Sequence, residues 1–206
     1  MEILYYYKLT VDDGGAPCVS AGLLSLAICK PLIRTNAEHG SIVFGFAANS
    51  LSKTNPLIYI AVVTDIADEG SYYVEKKYSR RADRIYARKG SRFTWRSDAR
   101  YHGPEDLTHD LGPEPRYPRA RVLLSKNFRY LGNCGTAEYK SKYPAIKEAV
   151  EGLGQGHRVN HPPTLRGELL RLKDETWSTT NRRTLGKPIL AADNRHCHRE
   201  RFWGRC

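Results

Sequence analysis

Long apolar runs are missing from this chain, and nothing approaches the roughly 20 consecutive apolar residues of a membrane span. The first residues, Met1-Glu2-Ile3-Leu4-Tyr5, put no basic flank ahead of an apolar stretch, so no signal peptide is expected. Cysteine is too sparse for a disulfide scaffold: five residues at irregular spacing give no framework of pairs. The expectation is a cytoplasmic protein with reduced thiols. No internal repeat is present, and no glycine loop of the strand–loop–helix phosphate-binding kind. His196-Cys197-His198 in the tail are consecutive, which does not supply the ligand geometry of a zinc site. No metal is expected, and no cofactor is assigned.

Acidic residues are also short over most of the chain, and the net charge is +11. Residues 1–70 carry a net −3, residues 71–163 a net +9 and residues 164–206 a net +5. A balance this basic favours a polyanionic partner, and nucleic acid or a nucleotide is the expected one. Between residues 76 and 100, ten Lys/Arg face only Asp83 and Asp98. Tyr72, Tyr73, Tyr78, Tyr86, Phe93, Trp95 and Tyr101 interleave with them. Arg84, Arg88 and Arg92 then read as phosphate contacts and Trp95 as a stacking surface.

What is present reads as α+β: a small, mostly antiparallel sheet or barrel with peripheral helices and a basic tail. Strands are expected over 2–9, 23–29, 41–47, 57–63 and 121–125. Helices are expected over 67–79, 139–153 and 164–177, the second stopped by Gly154. The division is an α+β domain over 1–160 and a helix plus basic extension over 161–206. With few apolar anchors beyond about residue 178, the tail is expected to be mobile unless Ile189-Leu190 and Phe202-Trp203 dock it.

The chemistry-bearing residues cluster around the stretch 11–34. Asp12-Asp13-Gly14-Gly15 is a loop that either binds a ligand or turns on its own side chains. Cys18 lies in the same loop. Cys29 abuts Lys30, whose ammonium could activate a thiol, although strand neighbours point to opposite faces. Further on, Gly154-Gln155-Gly156-His157-Arg158 offers an amide, an acid–base group and an anion fork between two glycines that permit close backbone approach. His109-Asp110 reads as an ordinary pair of neighbours, since adjacent side chains seldom face one another.

Taken together, these stretches resemble the nucleotide modification associated domain 2 family. The likeness is carried by the Tyr-rich first strand with Asp12-Asp13-Gly14-Gly15-Ala16-Pro17, and by Leu26-Ala27-Ile28-Cys29-Lys30-Pro31-Leu32-Ile33-Arg34. Ile42-Val43-Phe44-Gly45-Phe46, Arg81-Ala82-Asp83-Arg84-Ile85-Tyr86, Val122-Leu123-Leu124-Ser125 and Gly154-Gln155-Gly156-His157-Arg158 continue it. It covers most of residues 1–160 and implies a part in phage or bacterial nucleic-acid modification. At the level of fold alone, the layout is also similar to PUA, ASCH and EVE-type barrels, which cradle nucleotides or modified bases.

Three functions are compatible with these residues. The first is recognition of a nucleotide or modified base in a basic cleft, with Asp13, Cys18, Lys30, Arg34, Arg81, Asp83, Gln155 and Arg158 contacting it. The second is an enzyme acting on a nucleobase or nucleotide, with Asp12, Cys29 and His157 as acid, nucleophile and base. The third is an interaction subunit of a modification or defence system, with a protein partner and an exposed apolar patch.

Overall fold

The computed structural model describes residues 2–190. The strands are β1 (Leu4–Leu9), β2 (Cys18–Ser20), β3 (Leu23–Leu26), β4 (Ile42–Ala47), β5 (Leu57–Val62), β6 (Asp65–Ala67), β7 (Tyr86–Lys89), β8 (Arg92–Trp95), β9 (Val122–Ser125), β10 (Asn127–Tyr130) and β11 (His157–Arg158). The helices are α1 (Pro31–Asn36), α2 (Leu107–Leu111), α3 (Tyr139–Lys142), α4 (Pro144–Glu151) and α5 (Pro163–Thr179).

A five-stranded sheet runs β10-β5-β4-β1-β11, a four-stranded sheet runs β2-β3-β9-β6, and β7-β8 form a separate hairpin. All pairings are antiparallel except β1 with β4. The fold is α+β, and its sheets do not close into a barrel among the described residues.

Side-chain alternation explains the large sheet. Leu4 and Tyr6 of β1, Ile42, Phe44 and Phe46 of β4 and Ile60 of β5 face one way, against Ile146 and Val150 of α4 and Leu165, Leu169 and Leu172 of α5. Tyr5, Tyr7, Leu9, Val43, Ala47, Tyr59 and Ala61 face the other way, against Leu24, Leu26 and Leu123 of the smaller sheet. Because both faces are covered, these strands read as near-continuous apolar runs. Gly45 has its own reason: a Cβ there would lie 2.3 Å from the Tyr59 ring.

Several expectations are corrected. Residues 67–79 do not form a helix; the chain makes two 3-10 turns, Ser71–Tyr73 and Lys76–Tyr78. Tyr72, Tyr73, Tyr78, Tyr86 and Phe93 are buried together in a third core cluster, so they pack under the basic stretch and do not offer faces to bases. Pro144 splits the helix expected over 139–153 into α3 and α4. The chain after α5 is docked as far as residue 190. Tyr130 N–H donates to the Arg183 carbonyl at 2.7 Å, Leu185 N–H to Tyr130 at 2.9 Å and Leu190 N–H to Asp12 at 2.8 Å. Phe202-Trp203 and the His196-Cys197-His198 run lie outside the described residues.

Candidate active site

Cys29 sits where β3 gives way to α1, beyond the end of the strand expected to contain it. Cys29 and Lys30 both adopt left-handed backbone conformations, with φ of 60° and 42°. Neither is glycine, so each costs on the order of 1–2 kcal/mol. The turn persists because buried groups fasten it. Cys29 N–H donates to Asp110 Oδ1 at 3.2 Å, and Arg34 Nε donates to the Cys29 carbonyl at 2.8 Å. The remaining Arg34 nitrogens donate to the carbonyls of Asp110, Arg119 and Arg121, each at 2.7 Å. Arg34 is therefore a fully buried fastener of the turn, and the expectation that it contacts a substrate is corrected.

The turn aims the thiol at a histidine. Cys29 Sγ lies 3.3 Å from His102 Nε2, and His102 Nδ1 lies 2.7 Å from Asp110 Oδ2. An ionised carboxylate only accepts, so this contact assigns a proton to Nδ1 and turns Nε2 toward the sulfur. The Tyr86 hydroxyl donates to the same carboxylate oxygen at 2.7 Å. Burial alone would push the Asp110 carboxyl up. The hydrogen bond and charge of His102, the Arg34 guanidinium and the Tyr86 hydroxyl together outweigh it and hold the group below the ordinary range. Asp110 is thus a buried anion that orients the imidazole.

Neither His102 nor Asp110 was singled out as a site residue from the sequence. His102 is 73 positions from Cys29, inside a proline-rich stretch that reads as an irregular excursion. Sequence adjacency points Asp110 to His109, but from α2 its carboxylate reaches back to His102, eight residues earlier.

A cavity opens over the sulfur, walled by Tyr7, Leu9, Val11, Ala16, Ile28, Tyr101 and His102. It admits the centre of a water molecule over ≈ 30 Å³. Beside it runs a wider cleft, ≈ 530 Å³ by the same measure, lined by Lys8, Asn49, His109, Gly154, Gln155, Gly156 and His157 among others. Thr10 and Lys30 belong to both walls, so the two spaces adjoin. Lys30 Nζ stands 4.8 Å from the centre of the Tyr7 ring. Burial, then the charges of Lys30 and Arg158, hold the His157 imidazole below its ordinary range.

The expected residues divide accordingly. The structure brings Cys29, Lys30 and Asp13 to the small cavity, and Gln155 and His157 to the adjoining cleft with Lys30. Arg158 is exposed and donates to the His157 carbonyl at 3.1 Å. Asp12 is not with Cys29. Its buried carboxylate accepts from the Tyr130 hydroxyl at 2.6 Å and from Ile189 N–H at 3.0 Å, so it ties down the chain after α5. Cys18 is buried in β2, and burial pushes its thiol up to about 12. Arg81 and Asp83 are buried as well: Arg81 donates to the Tyr72 hydroxyl at 2.7 Å and to the Cys18 carbonyl at 2.8 Å, while Asp83 accepts from Ser25 and Tyr72. This network clamps β2 to β3, and substrate contact by these three is corrected on that ground. Arg84 donates to the Tyr73 carbonyl, Arg92 pairs with Glu114 at 3.2 Å, Arg88 lies over Phe93, and Trp95 Nε1 donates to the Tyr101 carbonyl at 3.2 Å. Arg88 and Arg92 remain exposed on the β7-β8 hairpin.

The nucleotide modification associated domain 2 family matches residues 1–162. No curated protein and no solved structure matches the chain.

Proposed function

The chain belongs to the nucleotide modification associated domain 2 family, and we propose that it is an enzyme of nucleotide or nucleic-acid modification that uses Cys29 as its nucleophile. The observation that carries this reading is the line from Cys29 Sγ through His102 to Asp110, at 3.3 and 2.7 Å. A nucleophile, a base within reach of it and a buried acid orienting that base make the recurring arrangement of covalent catalysis.

Each group has a defined task. Asp110 fixes the imidazole with its proton on Nδ1. His102 Nε2 takes the thiol proton, leaving a thiolate on Cys29. The thiolate attacks an electrophilic carbon of the substrate, and His102 returns the proton to the departing group. The strained Cys29-Lys30 turn presents the sulfur to the cavity and away from the sheet. Tyr101 and the Asp13–Ala16 loop wall the reacting centre, and the adjoining cleft with Lys30, Gln155 and His157 holds the rest of the substrate.

The binding-module reading has less support, because the aromatic side chains between Tyr72 and Phe93 are core. The interaction-subunit reading also has less support: among the described residues the exposed large apolar side chains are Leu32, Val74 and Leu185, and single ones are ordinary on a protein surface. The test is the alkylation rate of Cys29 against exposed Cys134, followed by peptide mass. Cys29 should react faster at pH 7 than its burial predicts, and His102→Ala should slow it while sparing Cys134. Equal Cys29 rates in the two proteins would remove His102 as the base.

A further inference from the structure

The two spaces beside Cys29 differ sharply in size and charge, and this difference defines a class of substrate. A bound water needs roughly 10–15 Å³ of such space. The ≈ 30 Å³ over the sulfur therefore suits a small substituent better than a nucleobase ring. The ≈ 530 Å³ cleft is large enough for the bulk of a nucleotide. Its lining includes Lys8, Lys30 and His157, and among the described residues no carboxylate lines it. Lys140 lies close by, but Glu151 answers it at 3.0 Å.

We propose that the substrate is a phosphorylated nucleotide bearing a small carbonyl substituent, with its phosphate in the wide cleft at Lys8, Lys30 and His157 and only the carbonyl reaching Cys29. This rests on the reading of Cys29 as a nucleophile and adds the ligand class. Repulsion from neighbouring cations supports it: Lys30 and Arg158 act on His157, and Lys140 acts on Lys8. Burial and the charge of Lys140 hold the Lys8 ammonium below its ordinary range, against a smaller opposing pull from Glu151. An arriving phosphate relieves that repulsion and favours the charged forms of both Lys8 and His157. The open loop at Gly154 and Gly156, where an added Cβ would meet nothing within 4 Å, leaves room along that wall.

The step balances as an acyl hydrolysis. The Cys29 thiolate adds to the carbonyl carbon, and the π pair moves to the oxygen. When the adduct collapses, the bond to the amine or alcohol breaks, and that group leaves with its electron pair and takes the proton from His102. Water then opens the thioester, its proton passing to His102. The products are the released amine or alcohol and a carboxylic acid, and the thiol is regenerated.

Two measurements test the class. Calorimetry on Cys29→Ser with nucleoside 5′-monophosphates and the matching nucleosides tests the phosphate subsite without chemistry. The monophosphates should bind at least ten-fold tighter, and Lys8→Gln with His157→Gln should remove that increment. Equal affinity for nucleoside and monophosphate, or binding of neither, overturns the subsite. Alkylation of the wild-type protein tests the size limit. Relative to Cys134, Cys29 should prefer iodoacetamide over N-ethylmaleimide by at least ten-fold, and no preference overturns the carbonyl-sized cavity. A Cys29 inert to both reagents defeats the nucleophile itself, while the calorimetry still judges the phosphate subsite on its own.

Discussion

Replacing Asp110 by Asn separates orientation of the imidazole from simple packing. The side chain is fully buried and accepts from three donors: His102 Nδ1 and the Tyr86 hydroxyl at Oδ2, and Cys29 N–H at Oδ1. Asn offers one acceptor and one NH₂ group. If the amide nitrogen faces Cys29 N–H and the Arg34 guanidinium, two buried donors oppose it. If it faces His102 and Tyr86, the hydroxyl can rotate, but the imidazole must move its proton to Nε2. There it can no longer take the thiol proton. A lost charge-assisted hydrogen bond is worth roughly 1.5–3 kcal/mol, and Arg34 also loses its counter-charge 4.0 Å away. The sum is about 2–4 kcal/mol, a fall in Tm of roughly 5–15 °C for a chain of this size. The variant therefore stays folded at 25 °C if total stability is ordinary. Losing a positioned base typically costs about 10²–10⁴ in rate. Alkylation of Cys29 in Asp110→Asn should thus fall at least ten-fold against Cys134 in the same sample. An unchanged ratio alongside a lowered Tm would refute the argument, leaving Asp110 a structural acceptor only.

Asp12→Asn should cost about 1 kcal/mol, because the Ile189 N–H loses its charged acceptor; limited proteolysis should then cut between 180 and 190, and continued resistance there would count against Asp12 as the tie. His157 and His161 are both held below the ordinary range, chiefly by burial. The unfolded chain then binds more protons just below pH 6.5, so this stability is present above that pH and lost as pH falls through the lowered folded values. Urea midpoints at pH 7 and 5 should differ less in His157→Gln/His161→Gln than in the parent, and an identical difference would be the contrary result. Arg88→Glu with Arg92→Glu should weaken nucleic-acid binding equally on any sequence and lower the salt slope by roughly two, whereas unchanged filter binding would make the hairpin a solvated surface.

The strands were legible because alternation and burial leave marks in one dimension. Residues 57–63 read as a strand because both faces of β5 are packed, and residues 164–177 read as a helix because Leu165, Leu169 and Leu172 of α5 recur at helical spacing on its buried side. The tyrosines between 72 and 86 misled for a related reason: an aromatic among arginines looks the same whether it stacks on a base or lies under the charged surface. Arg34, Arg81 and Asp83 misled because burial of a charge is decided by partners far away in sequence. Cys29 could be flagged from its neighbours Lys30 and Pro31, but its true partner could not. The contact with His102 exists only because a left-handed turn, a buried arginine and a helix 80 residues on meet at one point, and no spacing rule encodes that meeting. The Asp12 loop was legible as a loop, but its role as the anchor of the chain after α5 depends on Tyr130 and Ile189.

The central claim is that the Cys29 thiol performs the chemistry of a nucleotide-modifying enzyme. The most direct measurement is the mass spectrum of total nucleosides and free nucleotides from cells producing the wild-type protein and from cells producing Cys29→Ser at equal level. The account predicts at least one nucleoside or nucleotide whose abundance changes with the wild-type protein and stays at the level of protein-free cells with Cys29→Ser. The same change with both proteins would contradict it, because the chemistry would then not pass through the thiol.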